Sequence, residues 1–214
     1  MSTVVMGSMC AGSVRCYAAM LAAGNVIIDP DERHLPLRHS HHRYAIMGPN
    51  GIQQLTVPLV GSTHAMAVPM HAVRISEHGD WRHLHWGALY SAYGRTPYFD
   101  YIADDLHRII VDEPQPSLLQ LNMSLHRLIV DFLDLPILTT VSAIAPDDVD
   151  DLRGRIGGKK HDSLPIDDVP YYQMWSDRHG FQAGLSILDL LMNMGREAIF
   201  VLTKMNQSAS VSSQ

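Results

Sequence analysis

The first thirty residues set the tightest limit on the fold. Thr3 to Met6 is a short β-branched run, a string of small residues leads into a helical stretch that ends at Gly24, and Asn25 to Asp29 forms a second apolar run. This order of strand, loop, helix and strand is one βαβ unit, and a crossover that contains a helix joins parallel neighbours in one sheet. Gly24 stands where a glycine closes a helix, and Asp29-Pro30-Asp31 closes the second strand. An α/β fold follows.

Later segments add a hairpin and several helices. Tyr44 to Met47 and Ile52 to Leu59 flank Gly48-Pro49-Asn50-Gly51, in which the Asn-Gly step supplies the positive φ of a tight turn. Ala72 to Ser76 alternates as a strand does, and Asp80 to Tyr93 carries apolar residues at helical spacing up to Gly94. Thr96-Pro97 reads as an N-cap with a first-turn proline, opening a helix toward Ile110 that Pro114 and Pro116 end. Ser117 to Leu135 predicts another helix, Ile137 to Ile144 a strand, Ala145 to Pro170 a loop-rich stretch, and Ser186 to Leu202 a last helix opened by a near capping box. The expected architecture is an N-terminal βαβ unit and a β-hairpin in a mixed sheet, with a mainly helical middle and C-terminal part. Residues 1–204 are expected to form one domain, with a helical subdomain over 80–135, and 205–214 a frayed polar tail.

Composition excludes several function classes. A net charge of −6 and a pI near 6.1 leave no cationic field for a phosphate backbone, so nucleic acid is not an expected partner. Cys10 and Cys16 are too few for a disulfide scaffold, and their spacing fits no common zinc pair. No stretch approaches the roughly 18 apolar residues of a membrane span, and the start lacks a signal-peptide pattern, so a cytoplasmic protein is expected. Without a GxSxG elbow, a Walker loop or a Rossmann fingerprint, no cofactor is expected.

Candidate chemistry lies in a few polar residues. Four of the 13 histidines fall between His34 and His42, where a solvated surface or edge strand is the favoured reading and a metal-dependent hydrolase the competing one; no metal ligand is assigned. On a helix, Trp81 and His85 project together with Arg82 and Trp86 beside them, which frames either an imidazole suited to general-base work or a core histidine hydrogen-bonded to a neighbour. Arg43 and Arg74 lie in strand-like runs, where a guanidinium needs a carboxylate or an anionic ligand, and Asp29, Asp105 and Asp189 are candidate partners. The Gly7 to Ser13 loop has small residues but no phosphate fingerprint. His179 precedes a glycine in an expected loop, and Asp189 and Asn193 sit four apart on the last helix, where capping is the simpler role.

Taken in order, Arg43, Gly48-Pro49-Asn50-Gly51, Leu55-Thr56-Val57-Pro58, Arg74-Ile75, Trp81, His85-Trp86, Ser91-Ala92-Tyr93, Pro97-Tyr98-Phe99, Leu121-Asn122, Tyr172-Gln173, His179-Gly180-Phe181 and Leu185 to Leu191 resemble the WbqC-like family of bacterial proteins. The resemblance runs from about Val4 to Leu202. It departs from the family pattern at Cys10 to Tyr17, where relatives carry YFPPxEYF, and at His41-His42-Arg43, where they carry Arg-Asn-Arg. The family's link to O-antigen gene clusters implies a role in making or modifying an activated sugar, as an enzyme that modifies or transfers to a nucleotide-activated sugar or a similar anionic small molecule, and, if an enzyme, a transferase. The alternative is a non-catalytic assembly protein of the polysaccharide machinery, with an aromatic partner surface around Trp86 and Tyr98. On the first reading His85, Asp189 and His179 are the expected catalytic residues, and Arg43, Arg74, Trp86, Tyr93 and Asp105 the expected substrate contacts. Arg43 and His85 are expected to open into one cavity, and a homo-oligomer is left open.

Overall fold

The computed structural model describes residues 2–34, 41–61, 68–153, 155 and 164–211. The βαβ unit consists of β1 (Ser2–Met6), α1 (Val14–Ala23) and β2 (Gly24–Ile28). β1 and β2 pair in parallel, with Ser2 opposite Gly24 and Met6 opposite Ile28. Ser13 caps α1 by accepting the Cys16 N–H, which satisfies one of the donors a helix start leaves open. Gly24, at φ 82°, ends α1 and begins β2 at the same residue, so no linker separates helix from strand.

β3 (Arg33–His34) is followed by the hairpin of β4 (Arg43–Gly48) and β5 (Gly51–Thr56), which runs from Arg43 opposite Thr56 to Gly48 opposite Gly51. The positive φ falls on Gly51, at 107°, and not on Asn50. Pro49 explains the shift, because its ring fixes a negative φ and bars the mirror-image turn in which both central residues are left-handed. β6 (Val68–Pro69) pairs antiparallel with β3. β7 (Leu138–Val141) adds in parallel to β2, and β8 (Asp150–Asp151) adds in parallel to β1. The resulting sheet has the order β7-β2-β1-β8. The α/β class, the βαβ unit, the hairpin and the helical remainder are as expected. The hairpin, however, forms a two-stranded sheet of its own, because β7 and β8 take both edges of the parallel sheet.

α2 (Trp81–Tyr93) ends as Gly94 N–H bonds the Tyr90 carbonyl. Ala72 to Ser76, expected as a strand, makes only single bridges, Arg74 to Ser117 and Ile75 to Leu59. The helix expected from Thr96 is broken up. Thr96 Oγ1 donates back to the Tyr93 carbonyl instead of capping forward, and a 3-10 turn at Phe99–Tyr101 precedes α3 (Ala103–His107) and a π-helical turn at Arg108–Asp112. α4 (Leu118–Leu133) starts where Ser117 accepts the Gln120 N–H. α5 (Ser176–His179) is a single turn.

The last expected helix is two helices, α6 (Ile187–Met194) and α7 (Ala198–Val211). Gly195 divides them: its φ is 54°, and a Cβ there would lie 2.3 Å from Tyr98 Cε1. α7 runs to Val211 with Met205 buried, so the fraying expected from residue 205 gives way to helix. α1 packs on α7, and one apolar cluster extends from Val4 to Met205. Leu118, Leu190, Leu191 and Leu202 are fully buried in it, each contributing roughly 2 kcal/mol of apolar transfer. No helix among the described residues is long and apolar enough to cross a membrane.

Candidate functional site at the strand ends

Two of the expected site residues meet. Tyr93 Oη donates to Asp189 Oδ1 at 2.9 Å, and Asp189 Oδ2 accepts from Tyr171 Oη at 2.8 Å and from Gln173 Nε2 at 3.0 Å. Asn193 completes the network by donating to the Asp189 carbonyl and accepting the Met174 N–H. Burial raises the Asp189 carboxyl pKa, and the three donors pull against that rise. Asp189 is 1% exposed with both oxygens engaged, so the arrangement is that of a tie between chain segments.

His85 is also enclosed. Its Nε2 faces the Thr56 carbonyl at 3.1 Å, which only accepts, so Nε2 carries the proton and Nδ1 accepts from Tyr44 Oη at 3.2 Å. Trp81 closes its edge at 5.0 Å between ring centroids, and burial pushes the imidazole pKa down to about 4. Successive residues of a strand face opposite sides, so with Tyr44 turned to His85 its neighbour Arg43 faces away. The alternation thus turns Arg43 and the Tyr44–His85 pair to opposite faces of β4, against the expectation that Arg43 and His85 open into one cavity. His179 Nε2 lies 3.0 Å from the Pro49 carbonyl and pins α5 to the hairpin turn. Trp86 packs on Phe99 and His107, Asp105 pairs with Arg108 in solvent, and Arg74 is exposed.

A different polar cluster sits at the carboxyl ends of β1 and β2. Glu32 and His41 are both buried there, with His41 Nε2 3.6 Å from Glu32 Oε2. Asn122, from α4, donates through Nδ2 to Ser8 Oγ at 3.1 Å and to the His41 carbonyl at 2.9 Å. Gly7 makes room for the carboxylate, since a Cβ at that position would stand 1.5 Å from Glu32 Oε2. Asp29 follows β2, accepts the Asp31 N–H and pairs with Arg153 at 2.6 Å, which ties the end of β8 to the end of β2. Ala11, in the loop between β1 and α1, holds φ at 43°, an uncommon conformation for a residue with a side chain.

The solvated surface expected around His34 to His42 is thus corrected at its last two members, because His41 and His42 are buried. The side chains of His34 and His39 lie outside the described residues. Among the described residues, no group of three or more His, Cys, Asp or Glu side chains is placed to hold a metal ion. Glu32 carries no motif of its own in the sequence; the signal for it is its place directly after Asp29-Pro30-Asp31 at a strand end. Asn122 is visible there only through its place in the family pattern.

Residues 16–152, from within α1 to just past β8, match the WbqC-like protein family. The chain belongs to that family. The WbqC-like segment contains Glu32, His41 and Asn122, while Asp189, Tyr171 and His179 lie beyond it. The chain is also similar to the uncharacterized protein Rv1507c of Mycobacterium tuberculosis, with 27% identity covering 86% of this chain and 90% of that one. No solved structure matches.

Proposed function

We propose that this WbqC-like protein is a transferase acting on a nucleotide-activated sugar, or a similar anionic small molecule, in surface-polysaccharide biosynthesis, with the strand-end cluster as its proton-handling centre. The observation that carries this reading is the buried pair of Glu32 and His41 at 3.6 Å. Open parallel sheets bind ligands outside the carboxyl ends of their strands, near the point where the strand order reverses. Here β1 continues to β2 on one side and has β8 on the other, so that point is the end of β1. Keeping ionisable groups out of water costs stability, and such costs gather at functional sites. In this reading His41 takes the proton of a sugar hydroxyl or amine, and the Glu32 carboxylate beside it holds the ring in place. In this reading His85 and Asp189 hold the scaffold.

A thermal-shift series with nucleotide sugars and acyl donors, followed by turnover assays on the ligands that bind, tests this. A ligand of the right class raises the unfolding midpoint. Glu32→Gln, which preserves shape, should keep the fold and lose turnover. Absence of any shift across the nucleotide sugars removes the substrate class, and full turnover in both Glu32→Gln and His41→Gln removes the site.

Solvent exposure favours a second reading, that of a non-catalytic assembly protein. Leu84, Tyr90 and Tyr101 are 69%, 62% and 76% exposed, which suits a partner surface. The surface expected around Trp86 and Tyr98 is a poorer candidate, because Trp86 is packed and Tyr98 leans on Tyr101. Loss of co-purification with the polysaccharide enzymes on Tyr90→Ser and Tyr101→Ser, with turnover absent in the parent protein, supports it.

A further inference from the structure

A cleft of about 630 Å3 opens between Val60, the Arg74 to Glu77 segment and the Val111 to Pro116 segment. Its volume lies within the range that small-molecule sites occupy. Val111 belongs to the π-helical turn Arg108–Asp112, a backbone form that is rare overall and frequent at functional sites. Arg82 reaches the same cleft from α2 and is 7% exposed.

Arg82 is held from three sides. Its Nε and Nη2 donate to the two oxygens of Glu77 at 3.1 and 2.7 Å, Nη1 donates to the Ile110 carbonyl at 2.9 Å, and the guanidinium lies 4.4 Å from the centre of the Trp81 ring. A guanidinium has five N–H bonds in a planar fork, so one on Nη1 and one on Nη2 stay open for a further acceptor. Arg74 stands exposed on the same cleft and forms no ion pair among the described residues. Glu77 is the one carboxylate among the lining residues, which leaves a net charge of about +1 there. Ile75, Val111, Pro114 and Pro116 give the cleft an apolar wall.

We propose that this cleft is a second ligand site, for a small molecule with a phosphate or carboxylate group on a flat apolar body, and that Glu77 is an exchangeable counter-ion on Arg82. The two partners differ in freedom. Glu77 has a side chain 61% exposed and loses little by turning into water, whereas Trp81 and Ile110 hold Arg82 in place. The ligand's anion takes the position of the Glu77 carboxylate on the guanidinium fork, Arg74 closes over its outer face, and the ligand's body lies on the prolines and Val111. This site is independent of the strand-end cluster.

Isothermal titration of the full chain with phenyl phosphate and with inorganic phosphate tests the proposal. Phenyl phosphate should bind more tightly than inorganic phosphate. Arg74→Gln should weaken it about tenfold, the size of one charge-assisted contact. Glu77→Gln should tighten it, the reverse of what removing a merely structural ion pair would do. Circular dichroism of both variants should match the parent protein. No binding of phenyl phosphate at millimolar concentration, or affinity unchanged in both variants, overturns the proposal. Equal affinity for the two probes overturns the apolar part. Binding abolished by Glu32→Gln but unaffected by Arg74→Gln places the anion at the strand ends and overturns the second site while leaving the first.

Discussion

Tyr93 Oη donates to Asp189 Oδ1 at 2.9 Å while accepting the Met47 N–H at 3.1 Å, so one hydroxyl joins α2, α6 and the hairpin strand β4. Tyr171 and Gln173 add the loop before α5 to the same carboxylate. A group that joins four segments contributes to stability through all of them, and removing an acceptor strands several buried donors together.

Asp189→Asn is therefore expected to destabilise the protein by about 1–3 kcal/mol, since an amide keeps one acceptor and turns its NH2 either toward Gln173 Nε2, which cannot accept, or toward Tyr93 Oη, which already accepts the Met47 N–H. Urea unfolding followed by circular dichroism measures the change. A midpoint equal to that of the parent protein would show that the network carries no net stability.

The contrast between these segments shows how far the sequence can be read. β1, α1 and β2 were legible because their determinants are local: a β-branched run, a Ser13 cap and Gly24 lie within a few residues of what they control. α4 was legible for the same reason, through Ser117. The burial of Glu32 and His41 was not, because it depends on Gly7 and on Asn122, which reaches the His41 carbonyl across 81 positions of sequence. Arg43 and His85 were expected to share a cavity from their residue types alone, and only the strand alternation and the Thr56 contact separate them. The break at Gly195 likewise comes from Tyr98, which a local pattern does not contain.

Burial lowers the pKa of both His85 and His126 to about 4, against an ordinary value of 6.5. Both groups are neutral in the folded state, and the unfolded chain takes up protons first as the pH falls. The stability they contribute is thus fully present above about pH 6.5 and is lost as pH falls toward 4. The loss comes to about 3 kcal/mol for each ring, because a tenfold difference in proton affinity between the folded and unfolded chain is worth about 1.4 kcal/mol. Equilibrium unfolding at several pH values between 7 and 4 should show this decline. His126→Gln should flatten it by up to one proton. A slope unaffected by that substitution would mean that His126 titrates normally.

Gly7→Ala should be among the most damaging single changes in the chain. The added Cβ meets Glu32 Oε2 at 1.5 Å and Glu32 Cδ at 2.7 Å, so the buried carboxylate must leave its place beside His41. Glu32→Ala in the same chain removes the obstacle, so the double variant should be more stable than Gly7→Ala alone. Additive losses in thermal unfolding would place the two side chains apart.

Asn122 decides whether the strand-end cluster behaves as one unit. Its Nδ2 holds Ser8 Oγ and the His41 carbonyl together, and each contact is buried. Asn122→Ala removes both donors and leaves a buried carbonyl without its partner, at an expected cost of about 2–3 kcal/mol. Ser8→Ala alone removes only an acceptor and should cost less. If Asn122 acts on Ser8 directly, the two substitutions combine non-additively, with an interaction energy of about 1 kcal/mol in a double-mutant cycle. Strict additivity would mean that Asn122 supports His41 alone, and Ser8 would then drop out of the candidate site while the Glu32–His41 pair remained in it.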